Sequence, residues 1–339
     1  MTSNHRWRGA LGLAVMVTVA VPVSAQSIEV VGSRALGMGG AFVAVANDST
    51  ASWWNPAGLG PGPFLDVSLS RTSGAVDGRL PAARTGLWSL SIGAPPFGVS
   101  YYRFRLSQLQ AIDPTAQDRA DREDLRGGVA VRSLSVSQFG ATILQTLVSG
   151  VHVGSTVKYV RATPRSTETG GDEASGAGIP ALLDRAGDLS GGESDGTFDL
   201  DIGVIAVAGA LRAGAVVRNV REPEFDGLRL PRQVRVGAAF DGEMAGLRPF
   251  VLSLDADVRA YDAGFGERRV IALGGEHWIR PKRLALRAGT RVDTAGAADA
   301  VVTAGASVAP RAGFFVDGHV AVGGEGADGG WGVAARVSF

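Results

Sequence analysis

From Phe64 onward the chain repeats one pattern: apolar and polar residues alternate with a period of two, and clusters of turn residues separate the runs. Leu65, Val67 and Leu69 alternate with Asp66, Ser68 and Ser70, and Phe198, Leu200, Ile202 and Val204 alternate with Asp199, Asp201 and Gly203. Phe250, Leu252, Leu254, Ala256 and Val258 oppose Ser253, Asp255, Asp257 and Arg259; Trp331, Val333, Ala335, Val337 and Phe339 oppose Gly332, Ala334, Arg336 and Ser338. Successive side chains of a strand point to opposite faces, so each run reads as a strand with one apolar and one polar face. The pattern predicts about fourteen strands, near 64–71, 86–93, 97–104, 128–146, 151–162, 196–207, 211–219, 232–240, 248–260, 267–278, 283–293, 298–308, 312–320 and 329–339. In the fourth the alternation changes phase at Arg132-Ser133, which predicts a β-bulge there.

The connections fall into two kinds. Those after odd strands are mostly long and polar, as at Ser107–Leu125 and Thr163–Asp195, whereas those after even strands are mostly tight, as at Ala94-Pro95-Pro96, Ser149-Gly150 and Pro281-Lys282. Even strand number with long loops at one end and short turns at the other is the arrangement of a bacterial outer-membrane β-barrel. The predicted fold is therefore all-β, a transmembrane antiparallel barrel occupying residues 64–339. A charge facing lipid at the bilayer midplane costs about 2–4 kcal/mol, so the charged faces turn inward. Lys158, Asp199, Asp201, Arg235, Asp255, Asp257, Arg259, Arg287, Arg291 and Arg336 are the expected lumen charges, and their mixed signs fit a ladder of ion pairs that fills the lumen.

Composition narrows the function classes. Lys+Arg and Asp+Glu balance at 33 each, which gives no electrostatic basis for binding nucleic acid. There is no cysteine, so disulfides, thiolate metal sites and a lipoprotein anchor are excluded. Arg6 and Arg8, the apolar stretch Leu11–Val21 and the small-residue site Val23-Ser24-Ala25 read as a signal peptide over residues 1–25, followed by an N-terminal segment over 26–63.

That segment matches neither the leader nor the strands. Gly37-Met38-Gly39-Gly40-Ala41-Phe42, then Asn47-Asp48-Ser49, then Trp53-Trp54-Asn55-Pro56-Ala57-Gly58 form a run of small residues, turn residues and two large anchors. The run resembles the N-terminal signature of the FadL/OmpP1/TodX superfamily of outer-membrane barrels, which includes the PorV/PorQ-like barrels. The resemblance implies that Gly37, Gly39, Gly40, Phe42, Asn47, Asp48, Trp53, Trp54, Asn55, Pro56, Ala57 and Gly58 belong to a hatch that plugs the barrel from the periplasmic side. It also implies uptake of long-chain fatty acids or hydrocarbons, with an apolar pocket beside Trp53, Trp54 and Phe42. The alternative it leaves open is a PorV-like partner of secretion-system proteins that transports nothing itself. The terminal Phe339 resembles the signal read by the barrel-assembly machinery; outer-membrane lipid is the remaining expected partner.

Catalytic and metal chemistry find no workable context. Gly192-Glu193-Ser194-Asp195-Gly196 satisfies Gly-x-Ser-x-Gly but runs from a loop into a strand, without the following helix a nucleophile elbow needs. None of His5, His152, His277 and His319 has a second ligand at metal spacing. Gly37-Met38-Gly39-Gly40 lacks the preceding strand and third glycine of a dinucleotide fingerprint. No enzyme activity, metal or cofactor is expected.

Overall fold

The computed structural model describes residues 31–339 apart from 77–79, 81, 113–124, 226–227, 263–266, 281–282, 296–299 and 324–328. The expected signal peptide, positions 113–124 of the connection Ser107–Leu125 and the turn at Pro281-Lys282 lie outside the described residues.

The strands are β1 (Asp66–Val76), β2 (Ala82–Ala94), β3 (Phe97–Ala111), β4 (Val129–Val148), β5 (Val151–Thr169), β6 (Asp195–Ala208), β7 (Leu211–Arg218), β8 (Glu224–Phe225) and β9 (Leu228–Arg229). They continue as β10 (Gln233–Asp241), β11 (Phe250–Asp257), β12 (Tyr261–Asp262), β13 (Glu267–Arg268), β14 (Val270–Arg280), β15 (Leu284–Asp293), β16 (Ala300–Arg311), β17 (Phe314–Gly323) and β18 (Gly329–Ser338). Fourteen of them close into one barrel in which every neighbour is antiparallel; β8–β9 and β12–β13 are separate two-residue hairpins. Closure pairs β1 with β18, so the sheet has no free edge along that seam. Phe339 completes it, exchanging backbone hydrogen bonds with Leu65 at 2.8 and 3.1 Å.

Alternation sorts the side chains as the cost of burying charge demands. Leu252 and Leu254 point out and are exposed, while Ser253, Asp255 and Asp257 point in and are buried. The register steps by about one residue per strand around the barrel, so the strands tilt and a level ring descends relative to each cross-strand row. At one level the outward positions hold Phe97, Phe240, Phe250, Phe314 and Phe339; at a second they hold Trp88, Tyr101, Phe139, Tyr159, Phe198 and Trp331. Trp331 and Phe339 bracket the apolar band on the last strand, roughly 26 Å apart along the chain.

The wall is uneven. β4 has 20 residues and β11 only 8. Where β3–β5 rise highest, the region expected to be a loop at 163–195 is instead the end of β5 and a helix, Gly171–Asp188, kinked at Gly178. Its buried residues Ala174, Ile179, Leu182, Leu183 and Ala186 pack with Ala82, Leu109, Val129 and Val131. Those four wall positions point away from the lumen, so the helix lies on the outer wall, and Arg84 on β2 pairs with its Asp184. Composition hid it: Gly, Ser and a proline make a poor isolated helix, and docking stabilises it.

The same helix corrects the expected bulge. Pairing of β4 runs without interruption through Gln108↔Arg132 and Ser107↔Ser133 on one side and Ser133↔Arg165 on the other. The phase changes because outward Val129 and Val131 are covered by the helix, whereas inward Arg132 faces an open vestibule. Register shifts occur instead near Thr146, Trp278 and Val308.

Candidate functional site

Residues 31–63 lie inside the ring of strands. The segment folds as two short helices, α1 (Ser33–Gly37) and α2 (Ala51–Trp54), and a 3-10 turn over Pro56–Leu59 whose Ala57 N–H is capped by the Asn55 side chain. Nearly all of it is buried. Its backbone approaches the wall most closely where inward strand positions are glycine. A Cβ on Gly274 or Gly289 would fall on the Met38 backbone, and one on Gly203 would fall on the Asn55 side chain. Sequence reasoning missed these seats; glycine at inward positions of otherwise regular strands is the signal that would find them.

Polar anchors hold the segment against the seats. The Asp255 carboxylate accepts hydrogen bonds from the Phe42 and Val43 N–H groups at 2.7 and 2.8 Å. Asn55 donates to the Val43 and Val204 carbonyls, each at 3.0 Å, and accepts from Ala57 N at 3.2 Å. Asp66 accepts from the Ser49 N–H and hydroxyl at 2.9 and 2.6 Å. The strongest tie is Arg34, whose guanidinium donates through Nε and Nη2 to the two oxygens of Glu276 at 2.9 and 3.0 Å. Its Nη1 reaches Asn47 at 2.5 Å and Asp48 at 3.1 Å. Bidentate charge-assisted bonds of this kind fix geometry as well as energy.

Glu276 also takes Arg287 at 2.6 Å, Arg287 lies 3.6 Å from Asp317, and Arg336 bridges Asp317 and Asp66 at 3.3 and 3.4 Å. A continuous buried chain of alternating charge therefore runs from β14 to β1 and enters the segment at both ends. Of the expected lumen charges, Arg287 and Arg336 belong to this chain, and Lys158, Asp199 and Asp201 form a second cluster. Arg235 and Asp257 pair at 2.7 Å, Asp255 anchors the segment, and Arg291 is buried. Arg259 stands apart, exposed at the mouth. Arg34, Asp66, Glu276 and Asp317 were missed, although each stands either in the glycine-rich segment or at an inward strand position.

Burial pushes the Asp48 carboxyl up, but the charges of Arg34 and Arg336 and the hydrogen bonds from Thr50 and Arg34 outweigh it and hold it below the ordinary value of 3.8. A carboxylate lowered on folding stabilises the fold above its unfolded pKa, and the contribution disappears as pH falls through the lowered value. Acid unfolding measured below about pH 3.8 should therefore be less steep in Asp48→Asn than in the parent protein.

Beside β3 the lumen also holds an apolar cluster. Trp53 packs edge to face on Tyr102 at 5.2 Å and tilted on Phe104 at 5.3 Å, with the Arg218 guanidinium 4.5 Å over its ring. Val136, Val160, Ala162 and Phe225 extend this cluster. Phe225, fully buried, comes from the β8–β9 hairpin, which folds inward; Asp201 and Asp199 accept from the N–H groups of Asn219 and Arg221 at 2.8 and 2.9 Å. The pocket expected beside Trp53, Trp54 and Phe42 is therefore filled by packed side chains: Phe42 and Trp54 lie edge to face at 6.1 Å, and Trp53 is covered by the β3 aromatics. The cavity lies above, a vestibule of about 1490 Å³ at the mouth. Arg132, Arg229, Arg232 and Arg259 line it with Glu193, Asp195 and Glu222, around an apolar floor that includes Leu106, Leu134 and Phe225. Ser194 sits on this rim, its hydroxyl 2.9 Å from that of Thr163.

The barrel has solved counterparts. A FadL homologue from Pseudomonas aeruginosa is similar with a TM-score of 0.62 and 10% identity over 92% of this chain and 99% of that one. The CymD monoaromatic hydrocarbon channel gives 0.61 and 12% over 91% and 97%, and the toluene transporter TodX of P. putida 0.57 and 12% over 92% and 99%. At such identity the likeness establishes the fold. A family model described as "F plasmid transfer operon, TraF, protein" matches residues 97–257. No curated protein sequence matches the chain.

Proposed function

We propose that the protein is an outer-membrane barrel that passes small hydrophobic compounds inward, with residues 31–63 as the hatch. The observation that carries this reading is the apolar seam Phe225–Phe104–Tyr102–Trp53, which joins the vestibule floor to the N-terminal segment inside an otherwise ionic lumen. A solute that enters the vestibule meets this seam, and movement of the hairpin and the segment would open it. The outward apolar band with aromatic rings at both levels supports membrane insertion, since such girdles sit at the two interfaces. The similar barrels named for hydrocarbon and toluene transport support the substrate class.

The test is the initial rate of radiolabelled toluene uptake by cells displaying the protein. The parent chain should raise the rate above empty cells, and deletion of residues 32–60 should replace selective uptake by a leak to large polar antibiotics. Toluene uptake equal to that of empty cells, with the barrel present at the surface, would overturn the reading. The match over 97–257 to a family named for a plasmid transfer operon favours a second reading, a barrel that serves a plasmid-transfer apparatus, and that outcome would point to it.

A further inference from the structure

The outward face of β1–β5 carries charge of one sign only. Arg71, Arg84, Arg103, Arg105, Arg161 and Arg165 are its charged residues, without a carboxylate at any outward position of these strands. The outward positions of β6, β7, β10, β11 and β14–β18 within the barrel carry no charge except on residues flanking the strands. Arg84 is taken by Asp184 of the outer helix, and Arg165 donates to Gly191 O at 2.6 Å. Arg71, Arg103, Arg105 and Arg161 are exposed and form no ion pair among the described residues.

Their placement is specific in depth. Arg71, Trp88, Arg103, Ser137 and Arg161 follow one another in a single cross-strand row, so the three arginines stand on alternate strands, roughly 10 Å apart. Arg71 lies 5.0 Å over the Trp88 ring. Tyr101, Phe139, Tyr159 and Phe198 form the next row below, and Arg105 lies above, beside the helix on the outer wall. The cluster thus sits on the upper aromatic ring, at the level of lipid headgroups in a membrane-spanning barrel. Unpaired guanidiniums repel one another, and their forks match phosphate oxygens.

We infer that this face binds the phosphate-bearing headgroup of a lipid in the outer leaflet. Ser135 and Ser137 at neighbouring outward positions supply further hydroxyl donors. The inference rests on the membrane-barrel reading above, but not on what the lumen carries.

Native mass spectrometry of the full chain in mild detergent with bis-phosphorylated lipid A tests it. The parent protein should retain lipid A in a defined ratio. The variant Arg71→Gln/Arg103→Gln/Arg105→Gln/Arg161→Gln should lose it at least about tenfold, and Arg103→Gln/Arg161→Gln should fall between. Arg132→Gln, in the vestibule, should behave as the parent. Millimolar inorganic phosphate should fail to displace the lipid; displacement would show a free-anion site and overturn the lipid assignment. Insertion of both proteins into phosphatidylcholine vesicles is measured in parallel. Equal retention by parent and quadruple variant, both inserted, overturns the inference and leaves the barrel reading standing. If neither inserts, the membrane reading fails and the inference with it.

Discussion

Arg34→Ala is expected to destabilise the folded barrel by about 3–5 kcal/mol, because removing one partner of a buried ion pair leaves the other uncompensated. Here two carboxylates lose a partner, Glu276 and Asp48, both almost fully buried. Glu276 keeps Arg287, which limits the loss; Asp48 keeps the Thr50 N–H and hydroxyl at 3.0 and 2.5 Å but no other ion pair among the described residues. Urea unfolding in detergent, followed by tryptophan fluorescence, measures the change. Trp53 and Trp54 lie on the same segment and should report its release first. A double-mutant cycle with Glu276→Gln should show a coupling of 1 kcal/mol or more on an order-of-magnitude scale. A change within about 0.5 kcal/mol for Arg34→Ala would show that the segment is held by packing alone.

Gly274→Val and Gly289→Val are expected to dislodge the segment rather than merely crowd it. Each side chain would occupy space filled by the Met38 backbone, and backbone hemmed in by a closed wall cannot yield as a flexible side chain can. Limited trypsin digestion at the Arg34–Ala35 bond is the measurement. In the parent protein the bond is buried, whereas each variant should be cut at least about tenfold faster, the effect of a 1.4 kcal/mol loss in the closed state. Gly318→Val is the control, since Gly318 points outward and its Cβ would meet only one atom, 3.9 Å away. Equal cutting of all four proteins would show that the glycine seats do not hold the segment.

The two perturbations act on different ties. The ionic chain from Glu276 to Asp66 holds the segment on the β14–β1 side, whereas the Trp53 contacts hold it against β3. Release at one side leaves the other attached. On the proposed function, a variant weakened on the ionic side should leak polar solutes, while one weakened at the aromatic seam should alter hydrocarbon uptake.

The strand pattern was legible because its cause is local. Alternation at Phe198–Val204 or Phe250–Val258 follows from one face meeting apolar surroundings and the other a polar interior, and both demands are written in consecutive residues. The inward direction of Lys158, Asp199, Asp255 and Arg287 followed from the same cost. The glycine-rich run with Asn47-Asp48, Trp53-Trp54 and Asn55-Pro56 was legible as a unit that is not a strand.

Tertiary structure decided everything that depends on residues far apart in sequence. Arg34 and Glu276 are separated by 242 positions, and no periodicity marks them as partners. The seats at Gly203, Gly274 and Gly289 read as weak strand positions until the segment's backbone is laid against them. The helix at 171–188 exists because the outer wall of β2–β4 offers it an apolar face, and the apparent break at Arg132-Ser133 is the shadow of that docking. Local pattern fixes which face a side chain occupies; only the closed sheet determines what it meets there, because a barrel brings together residues from all fourteen strands that no sequence window contains.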